Sequence, residues 1–340
     1  MIDSLRLNTI PVSQPKQVED WSFFTMKDAY QDRGEIQYAI YPLFERPSLN
    51  VVYGAPGSFK SFLLADAAVC VAAGRRWLQS PYEPNDIGFD VEQAGVVWLD
   101  FDNGNRKTHD RFGALGRAHE VPDDAKVFYT SMPDPHFNAA NPNHVEDLIQ
   151  HINALNAQFV VLDNLGRISG GLDENSSAMD QVMQGLRRLT EKSQAAVVVI
   201  HHQRKKRTGV NSRRGDALRG HSSIEAALDL ALLVDRKEDE QIATVTSTKA
   251  RGLQIQDFGA VFHYNDHGDR RSLQKAWFEG TLPKLTKREA LAANRALELL
   301  SNGRMMRTKL MAELKKIPRV GDKTADAVLQ KLITREKIIW

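Results

Sequence analysis

Two stretches of this chain, Phe159-Val-Val-Leu-Asp163 and Ala196-Val-Val-Val-Ile200, run apolar with no alternation. Strands buried on both faces read this way, and such strands belong to parallel sheets covered by helices on either side. Shorter runs of the same kind occur at Leu49–Tyr53, Val96–Asp100 and Lys126–Thr130. Between them the spacing of apolar positions turns helical, over Val145–Leu155 and Ser177–Ser193. The segment before Asn50 is mixed, with a short helix predicted within Trp21–Tyr30. After the second apolar strand, Ile224–Val234 reads as helix, and Ile242–Thr248, Ala260–Tyr264 and Leu273–Phe278 read as strands. Gly280-Thr-Leu-Pro283 reads as a linker. Helical patterns follow at Lys287–Leu300, Thr308–Lys316 and Lys323–Leu332, then a strand-like Ile338–Trp340. The fold class expected is α/β with a mainly parallel sheet, plus a small helical C-terminal domain. The expected divisions are an N-terminal segment 1–48, a core 49–280 and a terminal domain 281–340.

Composition sharpens this picture at three points. With 42% hydrophobic and 26% charged positions in 340 residues, the chain has enough apolar mass for a core, which excludes extended disorder. A single cysteine, Cys70, excludes a disulfide scaffold and fits a reducing compartment such as the cytoplasm. The start, Met1-Ile-Asp-Ser, lacks the basic-then-apolar pattern of a secretory leader. The longest apolar run, Phe62–Leu78, is broken by Asp66 and Arg75-Arg76 and is too short and charged to span a bilayer. A soluble cytoplasmic protein with no membrane partner is therefore expected. Net charge is only +2, yet residues 281–340 hold 14 Lys and Arg against 6 Asp and Glu, leaving −6 on the rest. A basic end on an acidic body suits a polyanionic partner, although a lysine-rich helical surface alone produces the same count.

The chemistry begins at Gly54-Ala-Pro-Gly-Ser-Phe-Lys-Ser61, directly after an apolar strand and before an apolar helix. That is the setting of a phosphate-binding loop, in which backbone N–H groups and a helix N-terminus surround the phosphates of a nucleotide. The candidate nucleotide-binding residues are Gly54, Ala55, Pro56, Gly57, Ser58, Phe59, Lys60, Ser61 and Phe62. Lys60 reaches the β- and γ-phosphates and the Ser61 hydroxyl binds Mg²⁺ in such a loop, so ATP and Mg²⁺ are the cofactors expected. Phe59 stands where glycine usually precedes the lysine, so the backbone there loses freedom and gains bulk. The loop requires an acid at the end of a second buried strand, and Asp163 meets that demand as a second metal-site residue.

With the strand Val97-Trp-Leu-Asp100-Phe-Asp102-Asn the pattern resembles the RecA-like ATPases, in the hexameric helicase branch that includes the RepA and DnaB replicative helicases. The resemblance covers roughly Leu49 to Phe278 and rests on the order of its elements. It implies that Asp102 takes the place of the glutamate that orients the attacking water, one methylene shorter, with Asp100 the competing position. His201-His202-Gln203 ends the next strand where the family carries a polar sensor, so His202 is expected to sense the γ-phosphate. Arg204, Lys205, Lys206, Arg207, Arg213, Arg214 and Arg219 follow, with three glycines and one acid in the same stretch. In the family this loop lines a central channel and touches single-stranded DNA. No aromatic residue interleaves, so weak sequence preference and strong salt dependence are expected, while a solvated surface loop is the plain alternative. Gly220–Asp229 resembles the small-residue helix start that follows this loop in the family. Thr246-Ser-Thr-Lys249-Ala-Arg251 has the Lys-x-Arg spacing of the family's fingers, implying that Lys249 and Arg251 act on nucleotide held by a neighbouring subunit.

The C-terminal helices read as helix-turn-helix and, with the closing strand, resemble a winged-helix domain. Asp322 is placed to cap the second helix, and Lys323, Thr324 and Gln330 are available for a DNA groove. Ile317-Pro-Arg-Val-Gly321-Asp-Lys-Thr-Ala325 also resembles a helix-hairpin-helix, with Arg319 where that motif has glycine. A protein-docking or oligomerisation module is the third possibility. Together the features favour an ATP-driven, ring-forming helicase of a plasmid, phage or mobile element, with a hexamer expected, acting on single-stranded DNA. A recombinase-like or helicase-loading ATPase, and a DNA-binding regulator switched by ATP, remain alternatives.

Overall fold

The computed structural model describes residues 23–82, 87–203, 222–266, 273–281, 283 and 287–334. The chain divides into two compact units, 1–36 and 37–340. In the first, helix α1 (Met26–Ala29) begins at Thr25, whose backbone N–H and hydroxyl both donate to the Asp28 carboxylate at 2.8 and 2.6 Å. This helix lies inside the expected Trp21–Tyr30 segment but is much shorter.

The second unit opens with strands β1 (Gln37–Tyr41), β2 (Phe44–Arg46) and β3 (Ser48–Gly54) and helix α2 (Lys60–Ala73). Next come β4 (Asp90–Val91), β5 (Gly95–Asp100), α3 (Asn105–Ala118), β6 (Val127–Ser131) and α4 (Pro142–Ala154). Strand β7 (Ala157–Asp163), helices α5 (Leu165–Ile168) and α6 (Met179–Ser193) and strand β8 (Ala196–His202) complete the part that the apolar runs predict. Helix α7 (Ser222–Ala227) then leads to strands β9 (Leu230–Arg236), β10 (Ile242–Ala250), β11 (Phe258–Asp266) and β12 (Leu273–Thr281). Helices α8 (Lys287–Ser301), α9 (Arg307–Leu314) and α10 (Asp322–Thr334) end the described chain.

Nine of these strands form one sheet in the order β12-β11-β10-β9-β3-β8-β7-β5-β6, and β2-β1-β4 form a small second one. From β9 to β6 every neighbouring pair is parallel, whereas β9 to β12 pair antiparallel. The fold is thus α/β with a mostly parallel sheet, in keeping with a RecA-like P-loop core. The unalternated strands work as their sequence implies, because successive residues feed opposite cores. Trp98, Phe159, Val161 and Val198 pack with α2 and α3 on one face, while Val97, Val160, Leu162 and Val199 pack with α4 and α6 on the other. A separate apolar cluster, including Ala296, Leu310, Leu314 and Val328, unites α8, α9 and α10.

Two expectations are corrected, and two elements are added. The Ile224–Val234 segment is not one helix: α7 stops at Ala227, and β9 inserts beside β3 from Leu230. Leu-Ala-Leu-Leu-Val suits either element by periodicity, and burial between β3 and β10 selects the strand. The break falls at Asp229, whose carboxylate accepts from the Leu49 N–H at 2.8 Å and from Arg187 Nη1 at 2.6 Å. Helix α3 and the small β2-β1-β4 sheet were not expected at all. Asp322 is not the cap of α10; it lies inside the first turn and pairs with Lys315 Nζ at 2.8 Å. Gly321 instead supplies the carbonyl that receives the Ala325 N–H at 3.0 Å. The strand expected at Ile338–Trp340 lies outside the described residues. Among the described residues no helix is long and apolar enough to cross a membrane.

Candidate nucleotide site

The C-terminal ends of the parallel strands bring the sequence-derived residues together. Strand β3 ends at Gly54 and α2 starts at Lys60, so Ala55–Phe59 form the loop between them, with Ala55, Pro56 and Gly57 exposed. The first amide groups of α2 have no carbonyl one turn back and face an incoming anion. A Cβ on Gly54 would lie 2.2 Å from the Val234 carbonyl oxygen of β9, so only glycine fits there. Lys60 is buried, and its Nζ donates to the carbonyls of Gly54 (3.1 Å) and Ala55 (2.8 Å). Burial lowers the Lys60 pKa, and the Asp163 carboxylate opposes that shift. A phosphate at the loop would replace carbonyl partners by charged ones, a stronger class of hydrogen bond.

Phe59 adopts φ 73°, the left-handed conformation that glycine adopts freely, so the chain path of a glycine is kept by a residue that has to be forced into it. The holding force is visible. Its ring packs on Phe262 and Phe278 at centroid distances of 4.9 and 5.9 Å. The Arg236 guanidinium carbon sits 3.9 Å from the ring centre, and its Nη1 donates to the Gly57 carbonyl at 2.6 Å. Sequence reasoning missed Arg236, which ends β9 two residues beyond the segment misread as helix and acts through Phe59, a neighbour that only the fold supplies.

Asp163 ends β7, one strand removed from β3 across β8. The Ser61 hydroxyl lies beside its carboxylate, whose Oδ2 is buried with no hydrogen-bond partner among the described residues. Burial pushes its pKa up to about 6; Ser61 lowers it, Asp100 raises it, Arg111 lowers it and Asp102 raises it again. A buried carboxylate oxygen left open beside the α2 hydroxyl suits a hard divalent cation such as Mg²⁺, which takes oxygen ligands. The residues present therefore fit Mg²⁺ with a nucleotide.

Asp100 and Asp102 divide their work. Asp100 is fully buried and accepts from the Asp102 and Asn103 N–H groups (3.0 and 2.8 Å) and the Thr108 hydroxyl (3.1 Å). It shapes the loop entering α3. Asp102 is partly exposed, accepting from Arg167 Nε at 3.0 Å and from the Asn164 amide. His202 closes β8 in register with Gly54, the residue at which the loop starts. Arg111 is a second residue that the sequence reading missed. It is buried on α3, with Nη1 3.7 Å from Asp100 Oδ2 and its guanidinium 4.8 Å from the centre of the Phe62 ring. The spacing Thr108, Arg111, Phe112, Leu115 marks the buried helix face that carries it.

Lys249 and Arg251 do not join this cluster. Lys249 pairs with Ala231 and Arg251 bonds backbone to backbone with Asp229, near the N-terminal ends of β9 and β3, opposite the loop. Lys249 Nζ donates to the Glu225 and Ala226 carbonyls at the end of α7, and Arg251 Nη1 is 3.3 Å from Asp229 Oδ1. Arg204, Lys205, Lys206, Arg207, Arg213, Arg214 and Arg219 lie outside the described residues. Lys323 is exposed in the first turn of α10.

Two outcomes follow. A left-handed non-glycine residue costs about 1–2 kcal/mol, so Phe59→Gly should be more stable than Phe59→Ala by about 1 kcal/mol in urea unfolding, with both below the parent. Equal midpoints would mean that Phe59 carries no backbone strain. Asp163 has an ordinary pKa of 3.8 and a folded one of about 6, so the folded chain holds a proton that the unfolded chain releases. Its contribution to stability therefore falls as pH rises from about 4 to 6. Mg²⁺ needs the ionised form, so Mg²⁺ affinity with bound nucleotide should weaken below pH 6, approaching about tenfold per unit. Titration calorimetry should find that dependence flattened in Asp163→Asn.

The comparisons agree with this geometry. No curated protein matches the chain. Residues 18–208, just over half of it, match the family model described as AAA domain. A P-loop between a parallel strand and a buried helix, with an acid at the end of the next strand but one, is what such a nucleotide-binding domain needs, and the chain belongs to the AAA domain family of P-loop ATPases.

Proposed function

We propose that this protein is an ATP-driven DNA motor that works as a ring, in the manner of RepA/DnaB-type helicases, with a hexamer the expected assembly. The observation that carries this reading is the division of the active groups between two ends of the sheet. Lys60, Ser61, Asp163, Asp102 and His202 meet at the C-terminal strand ends, while Lys249 and Arg251 stand at the other. Those two cations are too far round the sheet to serve their own chain's nucleotide, and a neighbour in a ring is the natural recipient. In this scheme Lys60 binds the β- and γ-phosphates, and Ser61 and Asp163 hold Mg²⁺. Asp102 orients the attacking water and His202 senses the γ-phosphate. The basic stretch Arg204–Arg219 takes single-stranded DNA through its phosphates.

For the C-terminal helices the hairpin reading gains support from the backbone. Arg319 has φ 66°, the left-handed conformation that the helix-hairpin-helix motif assigns to glycine, and Val320 is buried beside it. We infer that the 315–321 turn and Lys323 approach the phosphates of duplex DNA. One observation favours a slower enzyme: the Asp102 carboxylate already accepts from Arg167 and Asn164, so a water must compete for it. That supports the second reading, a DNA-binding regulator in which ATP is chiefly a switch.

The test is ATP hydrolysis measured across a protein titration, with and without single-stranded DNA. Lys60→Ala should abolish it, and Arg251→Ala should lower it by about 10³-fold or more, the scale of an arginine finger. Mixing the two inactive variants should restore part of the rate, because a composite site can then pair an intact loop with an intact finger. No recovery, with Arg251→Ala as active as the parent, would remove the ring reading. Tight nucleotide binding with negligible turnover would favour the switch.

A further inference from the structure

Helix α2 is buried almost all round, yet Asp66 lies in it with no exposed surface. A carboxylate in such a place is costly unless a charge or metal compensates it. One turn further, Cys70 lies on the same face, also fully buried. His119, at the C-terminal end of α3, points between them and is 2% exposed. The nucleotide site uses none of the three.

Their geometry is unusual for a simple ion pair. One nitrogen, His119 Nε2, faces both groups, 2.8 Å from Asp66 Oδ1 and 3.8 Å from Cys70 Sγ. That nitrogen carries at most one hydrogen and cannot direct it at both. The other carboxylate oxygen, Asp66 Oδ2, is buried without a hydrogen-bond partner among the described residues. One donor atom from each residue lies within 4.8 Å of the others. Donors bound to a common zinc at 2.0–2.3 Å stand about 3.2–3.7 Å apart in a tetrahedron, a spacing that the observed 2.8 and 3.8 Å bracket.

We propose that Asp66, Cys70 and His119 form a structural zinc site that clamps the P-loop helix α2 to α3. One thiolate, one imidazole and a carboxylate able to offer both oxygens supply four donors of the kinds that zinc accepts. Because a thiol and an imidazole bind zinc only without their ligating protons, zinc binding competes with protonation and strengthens with rising pH.

The test uses the full chain, produced with zinc, passed through gel filtration and assayed by mass spectrometry of the metal. One zinc per chain is expected, with none in Cys70→Ala or His119→Ala. Alanine at 70 extends the alanines already in α2, so that variant should keep its circular dichroism and nucleotide binding if the site is only a clamp. Refolding with Co²⁺ should give a thiolate-to-cobalt charge-transfer band that Cys70→Ser loses. Competition with a chelator should show affinity falling by more than about 100-fold in Cys70→Ala, beyond what loss of a merely supporting partner costs. Affinity in the parent should rise with pH, as binding that competes with protons requires. A parent chain without zinc and without a cobalt band, or zinc held equally by Cys70→Ala, would leave the three as a buried Asp–His pair beside a thiol and overturn the proposal.

Discussion

The contact between Phe59 and the antiparallel edge of the sheet holds the chain where β3 turns into α2. A left-handed phenylalanine is an expensive way to begin a helix, and the ring packing on Phe262 and Phe278 is what offsets the cost. Arg236 adds a cation on the ring and a hydrogen bond to Gly57, so a single side chain fixes both the ring and the loop backbone. The Val234 carbonyl closes the other side against Gly54. Strands β9, β11 and β12 are therefore more than an extension of the sheet. They are the wall against which the phosphate loop is shaped, and the departure at Phe59 belongs to the same design as the aromatic residues of that wall.

Buried charge follows a comparable logic on the other side of the loop. Asp100 is saturated with donors from Asp102, Asn103 and Thr108, which makes it a structural carboxylate with little left to offer a ligand. Asp163, one strand away, is left with an open oxygen and a raised pKa. Arg111 sits close enough to influence both acids, without a hydrogen bond from its Nε or Nη1 among the described residues. The difference in hydrogen bonding separates the acid that builds the loop from the acid left open to a cation.

How much of this could be read in advance depended on which residues each feature needed. The apolar strands β5, β7 and β8 and the loop at Gly54–Ser61 were legible because burial on two faces and phosphate binding both restrict local sequence. Asp163 was legible because it ends such a strand. Strand β9 was not, since Leu230–Val234 carries no local mark to distinguish strand from helix; its partners, β3 and β10, are remote in sequence. Arg236 and Arg111 were hidden for the same reason. Each acts through a neighbour that only the fold supplies, Phe59 for one and Asp100 for the other. The Asp66–Cys70–His119 cluster joins residues 49 and 53 positions apart across two helices, and the i, i+4 spacing of the first two was visible only as an interruption in an apolar run.

The short helix α7 connects the two features that the motor reading places outside the loop. It begins directly after the basic stretch that ends at Arg219, and its last carbonyls hold Lys249 and Arg251. Asp229, two residues beyond it, accepts from Arg251, from Arg187 on α6 and from the backbone at the start of β3. A six-residue helix has little stability of its own and takes its position from these contacts. On the motor reading, drawing Arg251 toward a neighbouring nucleotide would remove a cation from Asp229 and a donor from α7 together. On that reading the helix that follows the basic stretch would then be freed by the same event that completes a neighbour's active site. On the same reading, coupling between nucleotide and DNA passes through the side chains that α7 and Asp229 hold and one turn and a half of helix.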